Sequence, residues 1–245
     1  MNSPRFYCRE PLAPGAHVEL PDPVARHAVR VLRLAAGAGL VLFDGRGGEY
    51  PARIERIERE RVVAAVGAWD AVERESTLAV TLVQALQAGE KMDYTIQKAV
   101  ELGVAAIVPV ESRRSVTRLA GERAGRRVAH WQGVAAAACE QCGRNQVPSV
   151  APVERLENWL ARPSAEALRL MLAPGAEQSL ADLPPSPRVQ LLIGAEGGLD
   201  AQEVLAAEQS GFRAVRLGPR VLRTETAGLA ALAAMQTLWG DFRGV

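Results

Sequence analysis

The chain has 245 residues, 48% of them hydrophobic and 23% charged, and a formal net charge of +1. This is the balance of an ordinary soluble globular protein with room for one large or two modest domains. No stretch of about 18 apolar residues offers a membrane span, and Met1 to Glu10 has no apolar core of a signal peptide, so a cytoplasmic location is expected.

Three cysteines, an odd number, argue against a disulfide framework. Cys139 and Cys142 form a lone C-x-x-C, and His17, His27 and His130 are scattered. No metal site is therefore expected, and the cysteines read as small helix-packing residues. The 29 cationic side chains include only two lysines, Lys91 and Lys98. Arginine suits bidentate phosphate contacts, but near-neutral net charge makes the excess informative only where arginines cluster.

Residues 1–72 read as a small β-rich domain. A short strand is expected at Ala16–Leu20 and a helix at Pro23–Leu34, with Pro23 in its first turn and Val24, Ala28, Val31 and Leu32 as its apolar stripe. Strands follow near Leu40–Phe43, Glu49–Ile57 and Arg61–Val66, and Asp44-Gly45 with Gly47-Gly48 makes a hairpin turn. Arg26, Arg30 and Arg33 fall three and four apart, on one helix face. That face is either a solvated surface or a basic patch, with Arg5 near it in sequence only.

Residues 70–77 are polar and serve as a linker, and residues 73–245 form the second domain. Leu78–Val83 is a near-continuous apolar strand, Gly89–Leu102 a helix ending at Gly103, and Val104–Val110 a strand interrupted by Pro109. This alternation predicts a parallel sheet. Arg113 and Arg114 stand in the following loop, able to grip phosphate or simply solvated. A long helix spans Glu122–Cys142, with Trp131, Val134, Ala138 and Cys142 on one face. It ends at Gly143, and Arg144-Asn145 follow as either phosphate or base-edge donors or a helix cap. A short helix at Glu154–Ala161, a strand at Leu168–Leu172 and a proline-rich connection at Asp182–Pro187 come next.

Two strand-loop-helix transitions follow, each either an ordinary strand-to-helix turn or a ligand-binding loop. The first runs from the apolar Val189–Ile193 into Gly194-Ala195-Glu196-Gly197-Gly198. Asp200 is placed to N-cap the helix Ala201–Gln209, with Glu203 completing a capping box. It lacks the G-x-G-x-x-G spacing of a dinucleotide fingerprint. The second, after a strand at Ala214–Leu217, is Leu217-Gly218-Pro219-Arg220-Val221-Leu222-Arg223-Thr224-Glu225, with Thr224 as N-cap of a final helix. Leu229, Leu232, Met235 and Trp239 give that helix an apolar face. In open α/β sheets, ligands bind where such loops sit.

The stretches LLIGAEGGL and LGPRVLRTETA together resemble the second and third motifs of the SPOUT methyltransferases, and most closely the RsmE family. Arg30-Val31-Leu32-Arg33, Gly89-Glu90-Lys91-Met92 and Ala137 to Asn145 match it too, and the resemblance runs from Pro4 nearly to the C-terminus. It implies an α/β chain: a small PUA-like β-barrel domain that binds RNA, then a SPOUT domain with a parallel sheet and a trefoil knot, assembled as a homodimer. It also implies S-adenosylmethionine-dependent methylation of N3 of uridine 1498 in 16S ribosomal RNA, within the 30S subunit. On this resemblance Leu172, Ala173, Pro174, Ile193, Gly194, Glu196, Gly197, Gly198, Leu217, Gly218, Val221, Leu222 and Thr224 hold the cofactor. Glu196 and Glu225 are the candidate general bases. Arg223 either stabilises an oxyanion or forms a salt bridge to one of those acids. The RNA contacts fall to Arg5, Arg26, Arg30, Arg33, Arg113, Arg114, Arg144 and Asn145. Two competing readings are a SPOUT ribose 2′-O-methyltransferase acting on tRNA or rRNA, and a non-catalytic RNA-binding ribosome-assembly factor.

Overall fold

The computed structural model describes residues 3–59, 61–162 and 167–243. The N-terminal reading over Met1 to Glu10 and the two domain ranges, 1–72 and 73–245, lie in part outside these. The chain forms two compact units: residues 1–75 with 136–147, and residues 76–135 with 148–245. The segment 136–147 belongs to the first unit, an addition that local patterns do not show. Among the described residues no helix is long and apolar enough to cross a membrane.

The first unit is a five-stranded sheet. Its strands are β1 (Arg5–Tyr7), β2 (His17–Glu19), β3 (Gly39–Phe43), β4 (Tyr50–Glu58) and β5 (Arg61–Val66), in the order β1-β3-β4-β5-β2. β1 joins β3 in parallel, and the other pairings are antiparallel. The turn at residues 44–48 closes the β3–β4 hairpin with Gly45, Gly47 and Gly48 all at positive φ. Leu40, Leu42, Ile54, Val62 and Ala64 are sealed in the core of this unit.

The helix expected at Pro23–Leu34 is shorter and irregular. α1 (Asp22–Arg26) passes directly into a π-helical turn, His27–Val31. The wider turn rotates the side chains that follow it. Ala25 and Ala28 are buried, but Val31 is 65% exposed and Leu32 40%, so the expected apolar stripe fails at its second half.

Residues 143–147 return to an internal polar cluster of the same unit. Arg144 is buried and its guanidinium forks onto Glu75, with Nε 3.0 Å from each carboxylate oxygen. The fully buried Asn145 donates to the Val72 carbonyl at 2.6 Å and accepts from Arg5 Nη2 at 2.6 Å. Arg5 also pairs with Glu49 and lies over the Phe43 ring. Hydrogen bonds from Arg5 hold the Glu49 carboxyl below the usual range, against the upward push of burial.

The second unit is a seven-stranded parallel sheet. Its members are β6 (Ala79–Ala85), β7 (Ala106–Glu111), β8 (Ser149–Val150), β9 (Glu154–Arg155), β10 (Leu168–Leu172), β11 (Arg188–Ile193) and β12 (Arg213–Val215). The order is β12-β10-β11-β6-β7-β8, with β9 also on β7. β6 and β11 lie centrally and are buried on both faces, which is why they read as apolar runs rather than alternations. Pro109 does not interrupt β7. β8 pairs residues 106–107 and β9 pairs 110–111, so the missing N–H falls between the two ladders.

The helices are α2 (Lys91–Glu101), α3 (Gly121–Cys142), α4 (Leu156–Leu160), α5 (Ala201–Gln209) and α6 (Thr224–Trp239). α5 carries the expected capping box: Asp200 Oδ1 accepts from the Glu203 N–H at 2.8 Å, and Glu203 Oε2 from the Asp200 N–H at 2.9 Å. On α3 the buried face is Trp131, Ala135, Ala138 and Cys139, so Trp131 and Ala138 of the predicted stripe lie on it while Val134 and Cys142 are only partly buried. The cysteines are unpaired, and burial pushes the Cys139 thiol up to about 12.

Arg144→Ala should strand the largely buried Glu75 carboxylate, and breaking such a pair costs about 3–5 kcal/mol. Urea denaturation of the variant should show a loss of that order, and a loss below about 1 kcal/mol would make the pair a surface contact in energetic terms.

Candidate active site

Three loops leave the carboxyl ends of the adjacent strands β12, β10 and β11. With the first turn of α6 and with Lys91 they line a cavity of about 350 Å³. Leu172, Ala173 and Pro174 form one edge, Ile193 to Glu196 with Gly198 another, and Leu217, Gly218, Val221 and Leu222 a third. Every residue assigned to the cofactor from sequence lines this cavity except Gly197. That residue packs instead against Arg114, where an added Cβ would come within 3.3 Å of the side chain.

Gly194 has no room for a side chain. A Cβ there would lie 2.9 Å from Gly198 C and 2.9 Å from Leu199 N, because the loop folds back on itself through a Gly198 N–H to Ala195 carbonyl bond of 2.8 Å. Gly198, at φ +71°, supplies the left-handed turn that this closure requires.

Thr224 does not act as the expected N-cap. Arg223 occupies that position, and the Thr224 hydroxyl donates to the Gly194 carbonyl at 2.6 Å while accepting from Gln84 Nε2 at 3.0 Å. The capping duty passes to Gln87. With its amide oxygen toward α6 it accepts from the Glu225 N–H at 3.2 Å, and its amide nitrogen donates to Thr95 Oγ1 at 2.9 Å. Gln84, Gln87 and Thr95 are all buried polar residues that sequence reading passed over.

Glu196, Arg223 and Glu225, named from sequence, all reach the cavity. The cation between the acids is a residue not singled out there. Lys91 Nζ stands 3.5 Å from Glu196 Oε1 and 3.5 Å from Glu225 Oε1. It sits in the Gly89-Glu90-Lys91-Met92 stretch, and as one of two lysines among many arginines it carried a signal. Arg223 makes no ion pair among the described residues, so the salt bridge weighed for it is not formed. Burial pushes the Glu196 carboxyl up, but hydrogen bonds from the Ala88 N–H, at 3.1 Å, and from its own N–H, with the Lys91 charge, outweigh this and hold it below the usual glutamate range. Glu225 Oε2 is buried without a hydrogen-bond partner.

The other basic residues divide sharply. Arg26, Arg30 and Arg33 are exposed, and Arg33 takes a left-handed φ of +54°. Arg113 is exposed but bonded to Glu157 at 3.0 Å and Asp200 at 3.3 Å, while Arg114 donates to the Gly197 carbonyl at 2.8 Å. Arg5, Arg144 and Asn145 turn inward in the first unit, where the terminal nitrogens of Arg5 are bonded and its Nε is buried without a hydrogen-bond partner. Spacing alone could not separate these groups, because it does not show where acceptors lie.

A family model for an RNA methyltransferase domain matches residues 74–236, and one for an RNA methyltransferase PUA domain matches residues 20–66. The chain is 31% identical to the ribosomal RNA small subunit methyltransferase E of Buchnera aphidicola from Schizaphis graminum, over 97% of each chain. It is 30% identical to that of Bacillus subtilis over 85% of each. A crystal structure of a ribosomal RNA small subunit methyltransferase E from Neisseria gonorrhoeae bound to S-adenosyl methionine superposes with a TM-score of 0.92 at 44% identity, covering 98% of this chain and all of that one. A putative methyltransferase from Legionella pneumophila, in complex with the same cofactor, gives 0.94 at 38% identity, covering 99% of this chain and all of that one. With the parallel sheet, the PUA-like unit and the glycine-loop cavity all present, the chain belongs to the ribosomal RNA small subunit methyltransferase E family of RNA methyltransferases.

Proposed function

We propose that this protein methylates N3 of uridine 1498 in 16S ribosomal RNA within the 30S subunit, using S-adenosylmethionine. The observation that carries the reading is the cavity at the ends of β10, β11 and β12, where a cation and two carboxylates meet tightly folded glycine loops. A space of this size with apolar walls and few polar groups suits a nucleoside cofactor. The buried, unpartnered Glu225 Oε2 is an acceptor left over for a bound molecule. Leu172, Ile193, Val221 and Leu222 would hold the cofactor's apolar parts, and backbone groups around Gly194, Gly198 and Gly218 its polar edge.

S-adenosylmethionine supplies an electrophilic methyl group when bound. The chain must then take the proton from uridine N3, which is not nucleophilic while it carries one. Glu225 suits this step as general base, since one of its oxygens has no partner to give up. Glu196, held below the usual range, is a weaker base and serves as a fixed anionic wall. Lys91 stands against both carboxylates, and its charge favours the ionised form of Glu196. Arg223, with no ion pair among the described residues, is placed to stabilise charge developing on the uracil oxygens. RNA recognition falls to the first domain, read in sequence as 1–72, through Arg26, Arg30 and Arg33. Methyl transfer falls to 73–245. The homodimer and the cytoplasmic setting belong to the same proposal and are supported by family membership alone.

Transfer of labelled methyl from S-adenosylmethionine should yield N3-methyluridine on unmodified 30S subunits, above naked 16S RNA and tRNA. Label in a ribose would instead assign the protein to 2′-O-methylation, and no label with no cofactor binding to a non-catalytic assembly role. Glu225→Gln should lower kcat by about 10²–10⁴ while cofactor affinity persists, the usual worth of a general base; wild-type kcat in this variant would remove Glu225 from the chemistry. Lys91→Met removes the cation that helps hold the Glu196 carboxyl low, so Glu196 protonates at higher pH and the acid limb of the kcat profile should move to higher pH. An unmoved limb would make Lys91 merely structural. Gly194→Ala forces a loop shift of the kind that costs about 1–3 kcal/mol, and the cofactor Kd measured by calorimetry should rise about 5–150-fold.

A further inference from the structure

A second groove lies on the same unit, of about 500 Å³, and the site described above does not use it. One wall is the N-terminal half of α3. Arg123, Arg126, Arg127 and His130 recur there at spacings of three, four and seven, so they share a helix face. The opposite wall is the loop between β6 and α2, through Gln87 and Gly89, which the Thr117 hydroxyl ties by donating to the Gln87 carbonyl at 3.2 Å.

The inner edge of this groove is pre-organised. Asp93 accepts from Trp131 Nε1 at 3.0 Å, lies 2.6 Å from His130 Nε2 and 3.4 Å from Arg127 Nη2. Arg127 is further held over the Trp131 ring and donates to the Gly89 carbonyl at 3.3 Å. The outer edge is different. Arg123 is exposed and makes no ion pair among the described residues. Arg126 is 74% exposed, and the pair it makes with Glu122, at 3.3 Å, is with a carboxylate 92% exposed. A surface pair of that kind is worth about 0.3–0.5 kcal/mol and exchanges readily for a better anion. The groove therefore carries positive charge in excess, in guanidinium forks that match phosphate.

The wall shared with the cavity says which anion. The Ala88 N–H bonds Glu196 and Lys91 bonds both acids on one side of the loop, while Gln87 and Gly89 face the groove on the other. Gln87 and Gly89, which line the groove, flank Ala88, whose N–H bonds Glu196, so groove and cavity share this loop. Trp131 is 2% exposed and offers no face for a base to stack on. The fitting ligand is thus a backbone phosphate rather than a base.

We infer that this groove binds a phosphodiester of the substrate RNA strand beside the target nucleotide, with Arg123 and Arg126 closing on it and Arg127 as the fixed inner contact. The inference rests on the proposed RNA methylation and adds a positioning contact that fixes where the strand enters. Phosphate contacts of this kind set register and carry no sequence information.

The test measures binding of unmodified 16S RNA to the full chain across a salt series, beside methyl transfer. The double variant R123A/R126A changes only exposed side chains. The slope of log affinity against log salt should shrink by about 1.4–2, at about 0.7–1 per lost contact. The KM for RNA should rise while kcat at saturating RNA and cofactor affinity hold, and R123K/R126K should restore most of the slope. An unchanged slope and KM in the alanine variant, with wild-type protein active, would overturn the groove assignment and leave the methylation reading intact. If wild-type protein transfers no methyl group, the methylation reading fails, and the slope still decides whether the groove holds RNA.

Discussion

The second unit depends on one buried hydroxyl. Thr224 Oγ1 joins the end of β6 through Gln84, the glycine loop after β11 through the Gly194 carbonyl, and the start of α6 to which it belongs. Each buried hydrogen bond of this kind contributes only about 1 kcal/mol net, but an orphaned group at the same place costs about 1–3. The three elements are thus fixed together by the penalty for separating them. Gln87 extends the link to α2 by bonding Thr95 and the exposed backbone end of α6. Glu196, Glu225 and Lys91 are brought within a few ångströms because the elements carrying them share this node.

Electrostatics then sort the charged residues by what surrounds them. Glu196 collects N–H donors and a cation, and stays ionised. Glu225 has one oxygen beside Lys91 and one buried with no hydrogen-bond partner. In the first unit, Arg144 bonds Glu75, and the terminal nitrogens of Arg5 bond Glu49 and Asn145, which ties that unit together from within. On the first half of α3, Arg127 is held by Asp93 and the Gly89 carbonyl, whereas the exposed Arg123 and Arg126 stay available to solvent or ligand. Arginine count is uninformative here, and arginine environment decides its use.

Much of the architecture was legible in the chain itself. Alternating strand and helix patterns announced the parallel sheet. Asp200 with Glu203 announced α5, and the two glycine-rich transitions announced the loops that line the cavity. These features were readable because their causes are local: buried central strands must be apolar, a cap lies three residues from its partner, and a glycine marks a turn. The trefoil knot is of another kind and rests on resemblance, since no local pattern encodes how a chain threads. Where a local rule met a tertiary demand, the local rule lost. Val31 and Leu32 left the apolar stripe at a π-helical turn, and Thr224 gave up its cap for Gly194.

The sequence by itself determined the family, the fold class and the loops that form the site, because long motifs and period-based patterns depend on residues near one another in the chain. Only the tertiary structure decided which charges meet. Lys91 stands between two acids over a hundred residues further on, Arg144 turns inward to Glu75, and Arg123 and Arg126 face an open groove. The physical reason is that an ion pair or an orphaned oxygen is a property of distance and burial, and neither is written in spacing along the chain.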